Sequence, residues 1–207
     1  MIIETLKVGE FRVNNYLVIN EETKEAVLID AGGDYEAVKQ LLNKYEVKLV
    51  CVLNTHGHLD HIAGDYELQA GEGAKVIVHK ADQPLVDTLK EHLKHFGMPD
   101  YEVPTVNEYV EDGQELDLAG LKFKVIHTPG HTQGGVCYLI DEVLFSGDTL
   151  FADSVGRTDL PGGSYEQLGQ SIKQKLYTLN DNVRVLPGHG FETTIAYEKK
   201  NNPFIKA

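Results

Sequence analysis

Residues 54–64 read NTHGHLDHIAG and carry three histidines and one carboxylate at His56, His58, Asp60 and His61. Imidazole nitrogen and carboxylate oxygen are the donors taken by zinc, iron and related divalent ions. On a regular helix or strand these side chains cannot all point one way. On a loop running into a helix they can divide between two adjacent ions. A water-facing polar loop is the plain alternative, and the rest of the chain weighs against it. The dipeptide Gly-His recurs at Gly57-His58, Gly130-His131 and Gly188-His189, each time after an apolar run: LVCVLNTHGH, FKVIHTPGH and VRVLPGH. Strand ends are where ligand groups gather in α/β architectures, because the strand holds an exposed loop rigidly. A glycine before each histidine permits a tight turn or a close backbone approach. Repetition of the pattern at separate strand ends implies convergence on one place.

The elements that must deliver these loops are legible as periodicities. Alternating or continuous apolar runs predict strands over 11–20, 26–30, 48–53, 75–78, 121–126, 135–140, 143–145 and 183–186. Helical spacing predicts helices over 34–45, 62–70, 81–96, 165–179 and 191–201. Strands mixed with helices in two similar halves suggest two sheets face to face with helices outside. No linker or low-complexity segment divides the chain, so one domain over 1–207 is expected.

Composition narrows the function classes. A chain of 207 residues can bury one sizeable core. Its formal net charge of −13 argues against general binding to nucleic acid or to anionic membranes, both of which need basic surface. Cys51 and Cys137 sit in apolar runs without CxxC spacing and read as buried core residues. The N-terminal MIIETLKVGEF does not have the basic head and apolar stretch of a signal peptide, and no apolar run approaches the roughly 20 residues of a membrane span. A cytoplasmic location is the expectation.

Four ordered motifs, THGHLDH, TPGHT at 128–132, SGDTLF at 146–151 and LPGHG at 186–190, preceded by the LIDAG turn at 28–32, resemble the metallo-β-lactamase-fold superfamily over nearly the whole chain. The resemblance implies an αββα sandwich of two mixed sheets with helices on the outer faces, and a metal site at the sheet edges. It also implies two divalent metal ions, zinc first, with iron or manganese as alternatives. His56, His58 and His131 would hold one ion, Asp60, His61 and His189 the other, and Asp148 would bridge them. A carboxylate has two oxygens and can serve two cations, and so many polar groups would be costly to gather unpaired. Paired metals lower the pKa of a shared water, so that a metal-bound hydroxide, acting with Asp60, is the implied nucleophile. Asp30, ending the LIDAG strand, is assigned a supporting role behind the ligands. His127 is assigned an outer hydrogen bond to His131.

Departures from sister groups narrow the resemblance. Zinc β-lactamases carry cysteine where this chain has Asp148, and they are exported. RNA-processing members have extra RNA-binding elements. The nearest likeness is to glyoxalase II, the hydroxyacylglutathione hydrolases, and especially their short bacterial forms. A small-molecule thioester, with glutathione as a candidate carrier, is the implied substrate. Long glyoxalase II adds a C-terminal helical domain that binds glutathione. Here only 18 residues follow His189, so that domain is not expected. The segment FADSVGRTDLPGG at 151–163 has Arg157 where long glyoxalase II has a lysine, and Thr158-Asp159 instead of an aromatic. Arg157 either grips a substrate carboxylate or pairs with Asp159. Gly-Arg-Thr-Asp also resembles the persulfide dioxygenases of the same superfamily, which bind one iron through two histidines and an aspartate; that is the rival reading. His79 reads as a surface or supporting residue. His92 and His95, three apart on a predicted helix, are either solvent-facing or part of a lid. Oligomeric state is open.

Overall fold

The computed structural model describes residues 1–207. The first half runs β1 (Ile2–Val8), β2 (Val13–Asn20), β3 (Glu25–Ile29), α1 (Tyr35–Tyr45), β4 (Lys48–Leu53), α2 (Leu59–Ile62), α3 (Asp65–Glu72), β5 (Lys75–His79), α4 (Gln83–Asp87), α5 (Leu89–Phe96) and β6 (Val106–Val110). The second half runs β7 (Glu115–Leu118), β8 (Leu121–His127), β9 (Val136–Ile140), β10 (Val143–Gly147), β11 (Leu150–Phe151), β12 (Ser154–Val155), α6 (Tyr165–Ser171), β13 (Arg184–Pro187), β14 (Thr193–Thr194) and α7 (Ile195–Asn201). Strands β1 to β6 form one mixed sheet in chain order. The second sheet has the order β7-β8-β9-β10-β13-β14, parallel only between β10 and β13.

Period-two alternation builds the layers. On β2, Tyr16 and Val18 face the second sheet and pack with Phe123, Val125, Tyr138 and Phe145. Leu17 and Ile19 face outward and pack with Val38, Leu42 and Leu68 of α1 and α3. On the other side, Cys137 and Leu144 meet Leu168, Ile172 and Ile195. Full burial of each such aliphatic side chain stabilises by about 1.5–3 kcal/mol. The αββα sandwich implied by the motifs is the observed architecture. Both cysteines are buried free thiols, as composition suggested; burial pushes them up to about 12 for Cys51 and about 11 for Cys137. No helix is long and apolar enough to cross a membrane.

The structure corrects several element boundaries. The helix expected over 81–96 is broken. Pro84 sits in the first turn of α4, and the Thr88 hydroxyl donates to the Pro84 carbonyl at 2.8 Å, closing α4 before α5 begins. The helix expected over 62–70 is split between α2 and α3 at Gly64, whose N–H goes to the Ala31 carbonyl at 2.8 Å. The helix expected over 165–179 ends at Ser171 and continues as a wider turn over Ile172–Leu176, with Tyr177 N–H donating to the Ile172 carbonyl at 2.8 Å. The last helix starts at Ile195, because Thr193 and Thr194 pair with β13.

Candidate metal centre

Asp30, His56, His131, Asp148 and His189 all follow the C-terminal ends of strands, namely β3, β4, β8, β10 and β13. In the first loop the chain stays extended through His58 (φ −71°, ψ 148°) and then enters α2. That change of direction sorts the side chains. His56 and His58 group with His131, and Asp60 and His61 group with His189. Asp148 groups with His56 and His61, one residue from each set. In each of these groups the ligand atoms lie within 4.8 Å of one another. The structure thus brings together all seven residues singled out by motif. Backbone shape makes the approach possible. Gly130 has φ +140°, and a Cβ there would strike the Leu168 backbone. A Cβ at Gly188 would run into Asp148 Oδ1 and His61 Cε1.

The donor set fits divalent cations. His56 Nε2, His61 Nε2 and Asp148 Oδ1 are buried without any hydrogen-bond partner, an expensive arrangement unless a cation takes the lone pairs. His58 Nδ1 and His131 Nε2 face each other at 2.9 Å. Asp148 Oδ1 lies 3.4 Å from His61 Nε2, and Oδ2 lies 3.6 Å from His131 Nε2 and 3.7 Å from His189 Nε2. Burial, then the neighbouring imidazoles, pushes His56 well below the usual histidine range and His58 down to about 3. Both are therefore neutral, the form that ligates. Burial also pushes His61 down, but Asp30, Asp60 and Asp148 together outweigh it and lift the ring up to about 10. Burial pushes the Asp60 carboxyl up, but His61 and His189 prevail and leave it below the usual range. These carboxylates demand positive charge at the centre, and bound cations answer that demand as a proton does.

Behind the ligands stands a set of orienting contacts. Asp30, in a left-handed conformation (φ +59°), accepts from Thr55 N–H at 2.7 Å and from the Thr55 hydroxyl at 2.9 Å. Its Oδ2 also takes His61 Nδ1 at 2.8 Å, so Nε2 points into the cluster. The imidazole of His131 is oriented by the main chain: its Nδ1 lies 2.7 Å from the Arg157 carbonyl. His127 does not touch it, which corrects the assignment made from spacing. As the last residue of β8, His127 follows the inward face of Phe123 and Val125. Its ring stacks on His79 with centroids 4.2 Å apart, and Nε2 pairs with the Gln133 carbonyl at 2.9 Å. The LPGHG loop is clamped by Tyr16 and Asn14, which donate to the Pro187 carbonyl at 2.7 and 2.9 Å.

Two buried acids that hold the first loop, Asp82 and Asp65, lie outside the motifs. Asp82 accepts from Gly57 N–H (2.9 Å), Gly134 N–H (2.6 Å) and the Thr132 hydroxyl (2.8 Å), tying the first loop to the loop of His131. Its position after β5 reads only as a helix start; nothing local shows a reach of 50 residues. Asp82→Ala leaves those donors buried and unpaired, so urea unfolding should show a loss of about 3–5 kcal/mol. Asp65, fully buried, takes Asn54 Nδ2 at 2.5 Å, and burial pushes its carboxyl well above the usual range. The folded state therefore keeps a proton that the unfolded chain releases above about pH 4, and stability falls as pH rises by about 1.4 kcal/mol per unit while the folded carboxyl stays protonated. Asp65→Asn, neutral throughout, removes that slope. Denaturant unfolding of both proteins from pH 5 to 7 should show the gap between them moving in the variant's favour.

Above the cluster opens a cavity of about 690 Å³ whose floor includes His58, Asp60, His131, Asp148 and His189. His92 and His95 of α5 line it, so this helix forms a wall over the centre. Arg157 also lines it, with Nε and Nη2 each 2.7 Å from the Asp159 carboxylate, the second of the two roles its sequence context left open.

Comparison with known proteins agrees with this fold. A family model described as the metallo-beta-lactamase superfamily matches residues 8–189. The chain is 37% identical to hydroxyacylglutathione hydrolase GloC of Haemophilus influenzae, over 100% of this chain and 99% of that one. Its fold superposes on BLEG-1 B3 metallo-beta-lactamase with a TM-score of 0.92, at 33% identity and full coverage of both chains. It superposes on TTHA1623 in a di-iron-bound form with a TM-score of 0.87, at 35% identity, covering 98% of this chain and 100% of that one. From the match across residues 8–189 and the full-length likeness to GloC, the chain belongs to the metallo-β-lactamase superfamily.

Proposed function

We propose that the protein hydrolyses a small-molecule thioester in the manner of glyoxalase II, with two divalent cations, zinc or iron, as cofactor. The observation that carries this reading is the convergence of two His/Asp groups, linked through Asp148, on the floor of one substrate-sized cavity. The full-length likeness to a hydroxyacylglutathione hydrolase supplies the substrate class. His56, His58 and His131 would hold one cation, Asp60, His61 and His189 the other, with Asp148 shared. Such cations supply Lewis acidity toward a carbonyl oxygen and lower the pKa of a bound water. The chain's own residues do the rest. Asp30 and the Arg157 carbonyl fix the imidazoles of His61 and His131 in the ligating orientation. Asp60, kept ionised, lines the cavity and orients the attacking water toward the carbonyl carbon.

The test combines metal analysis with turnover. Two metals per chain, with anaerobic hydrolysis of S-D-lactoylglutathione, is the expected result. One iron per chain with oxygen uptake on glutathione persulfide would replace this reading with the dioxygenase one.

A further inference from the structure

Thioester hydrolysis leaves open what the thiol carries, and the following rests on that reading. Away from its His/Asp floor, the apolar part of the cavity wall is formed by Phe11, Leu85, Phe96, Phe151, Val155 and Leu160, beside the imidazoles of His92 and His95 on α5. No lysine lines it, and Arg157 is its one guanidinium. A surface ion pair is worth little, so one substrate carboxylate can draw Arg157 from Asp159. Beyond Arg157 the wall offers a second carboxylate only the imidazoles of His92 and His95, with no permanently charged group, and the chain's net charge of −13 opposes an anionic arm at longer range. At the mouth, Phe11 from the β1–β2 turn and Phe96 from the end of α5 meet edge to face, with ring centroids 6.3 Å apart. They remain 45% and 54% exposed. Two large apolar side chains left open to water on separate elements, at the rim of a polar-floored cavity, mark a binding surface.

We propose that this cavity selects thioesters whose thiol arm is uncharged and apolar, an aryl or alkyl group held against Phe11 and Phe96, over arms that carry two free carboxylates. Hydrophobic discrimination of this kind is worth tenfold or more for even small differences in buried apolar group. The reaction is unchanged: water adds its oxygen to the acyl carbon, the C–S bond breaks, and the thiol leaves with one proton.

Binding and turnover separate this inference from the function on which it rests. Two unreactive thioethers, S-(2-hydroxypropyl)glutathione and benzyl 2-hydroxypropyl sulfide, are titrated by calorimetry into the metal-loaded protein. The benzyl compound should bind at least tenfold more tightly, and Phe11→Ala and Phe96→Ala should each cost it about tenfold. Both residues are half exposed, so the variants should unfold at the wild-type temperature, which is checked in parallel. Tighter binding of the glutathione compound, or indifference of the benzyl compound to both substitutions, overturns the proposal. The matching lactoyl thioesters are then assayed. If neither is hydrolysed while the benzyl preference holds, the thioesterase reading falls and the apolar-arm assignment stands.

Discussion

Asp148→Ala should lower metal content below one ion per chain and cut thioester turnover by roughly a thousandfold or more. The size follows from the loss of several kcal/mol of charge stabilisation, at 1.4 kcal/mol per factor of ten. The double loss follows from geometry. Asp148 Oδ1 is nearest His61 of one group, while Oδ2 lies toward His131 of the other and toward His189. The loop itself does not need the carboxylate. Thr149 N–H donates to the Ser146 carbonyl at 3.0 Å, the Ser146 hydroxyl to the Leu150 carbonyl at 2.8 Å, and the Thr128 and Thr149 hydroxyls pair at 2.9 Å. The variant should therefore fold. After chelation it should be at least as stable as the chelated wild type, because Asp148 Oδ1 is a buried acceptor without a partner. Thermal unfolding with and without added metal checks both halves: the metal-induced rise in Tm, present in the wild type by mass action, should nearly vanish in the variant. Retention of two ions by Asp148→Ala would remove the shared-ligand assignment.

What could be read in advance and what could not divide along physical lines. Central strands such as β2, β4 and β9 are buried on both faces, so their apolar runs stood out in the sequence. Apart from the two-residue strands β11 and β12, which pair only with each other, the strands that escaped notice, β1, β6, β7 and β14, are the edges of the two large sheets. An edge strand has one neighbour and tolerates charge, which erases the apolar signature: Val106–Val110 reads VNEYV with three exposed residues in succession. The metal-type side chains were legible because their chemistry is concentrated at fixed local spacings. Their supports were not. Asp82 holds groups 25 and 50 or more residues away, and the partner of His131 is a backbone carbonyl that any residue at position 157 could supply. Proximity in sequence pointed to His127 instead. A strand's alternation turned that ring toward His79.

The second large effect is expected from Asp30→Asn, a change of one atom that reaches the metal through a proton. Asp30 faces only donors: Thr55 N–H on Oδ1, and the Thr55 hydroxyl and His61 Nδ1 on Oδ2. A carboxylate accepts on both oxygens, whereas an amide accepts on one and donates from the other. If the amide oxygen stays against Thr55 N–H, its NH₂ meets His61 Nδ1, which must then accept. The proton moves to Nε2, the atom that points at Asp60 and Asp148, and that nitrogen loses the lone pair a cation needs. If the amide flips, NH₂ confronts the backbone N–H of Thr55 inside the protein, a donor–donor clash with no water to relieve it. The first state sacrifices the ligand and the second sacrifices stability by about 1–3 kcal/mol. The variant should settle in the first, with affinity of the His61-containing site down 10–100-fold or more, as found when a group orienting a ligating imidazole is removed. The site of His56, His58 and His131 should lose much less. Competition with a graded chelator reads the two affinities separately, and nitrogen-resolved NMR of the His61 ring reads the tautomer. An Nε2-protonated ring with one weakened site is the expected result. An Nδ1-protonated ring, or two sites weakened alike, would show that Asp30 acts on the loop as a whole and not through the imidazole it contacts.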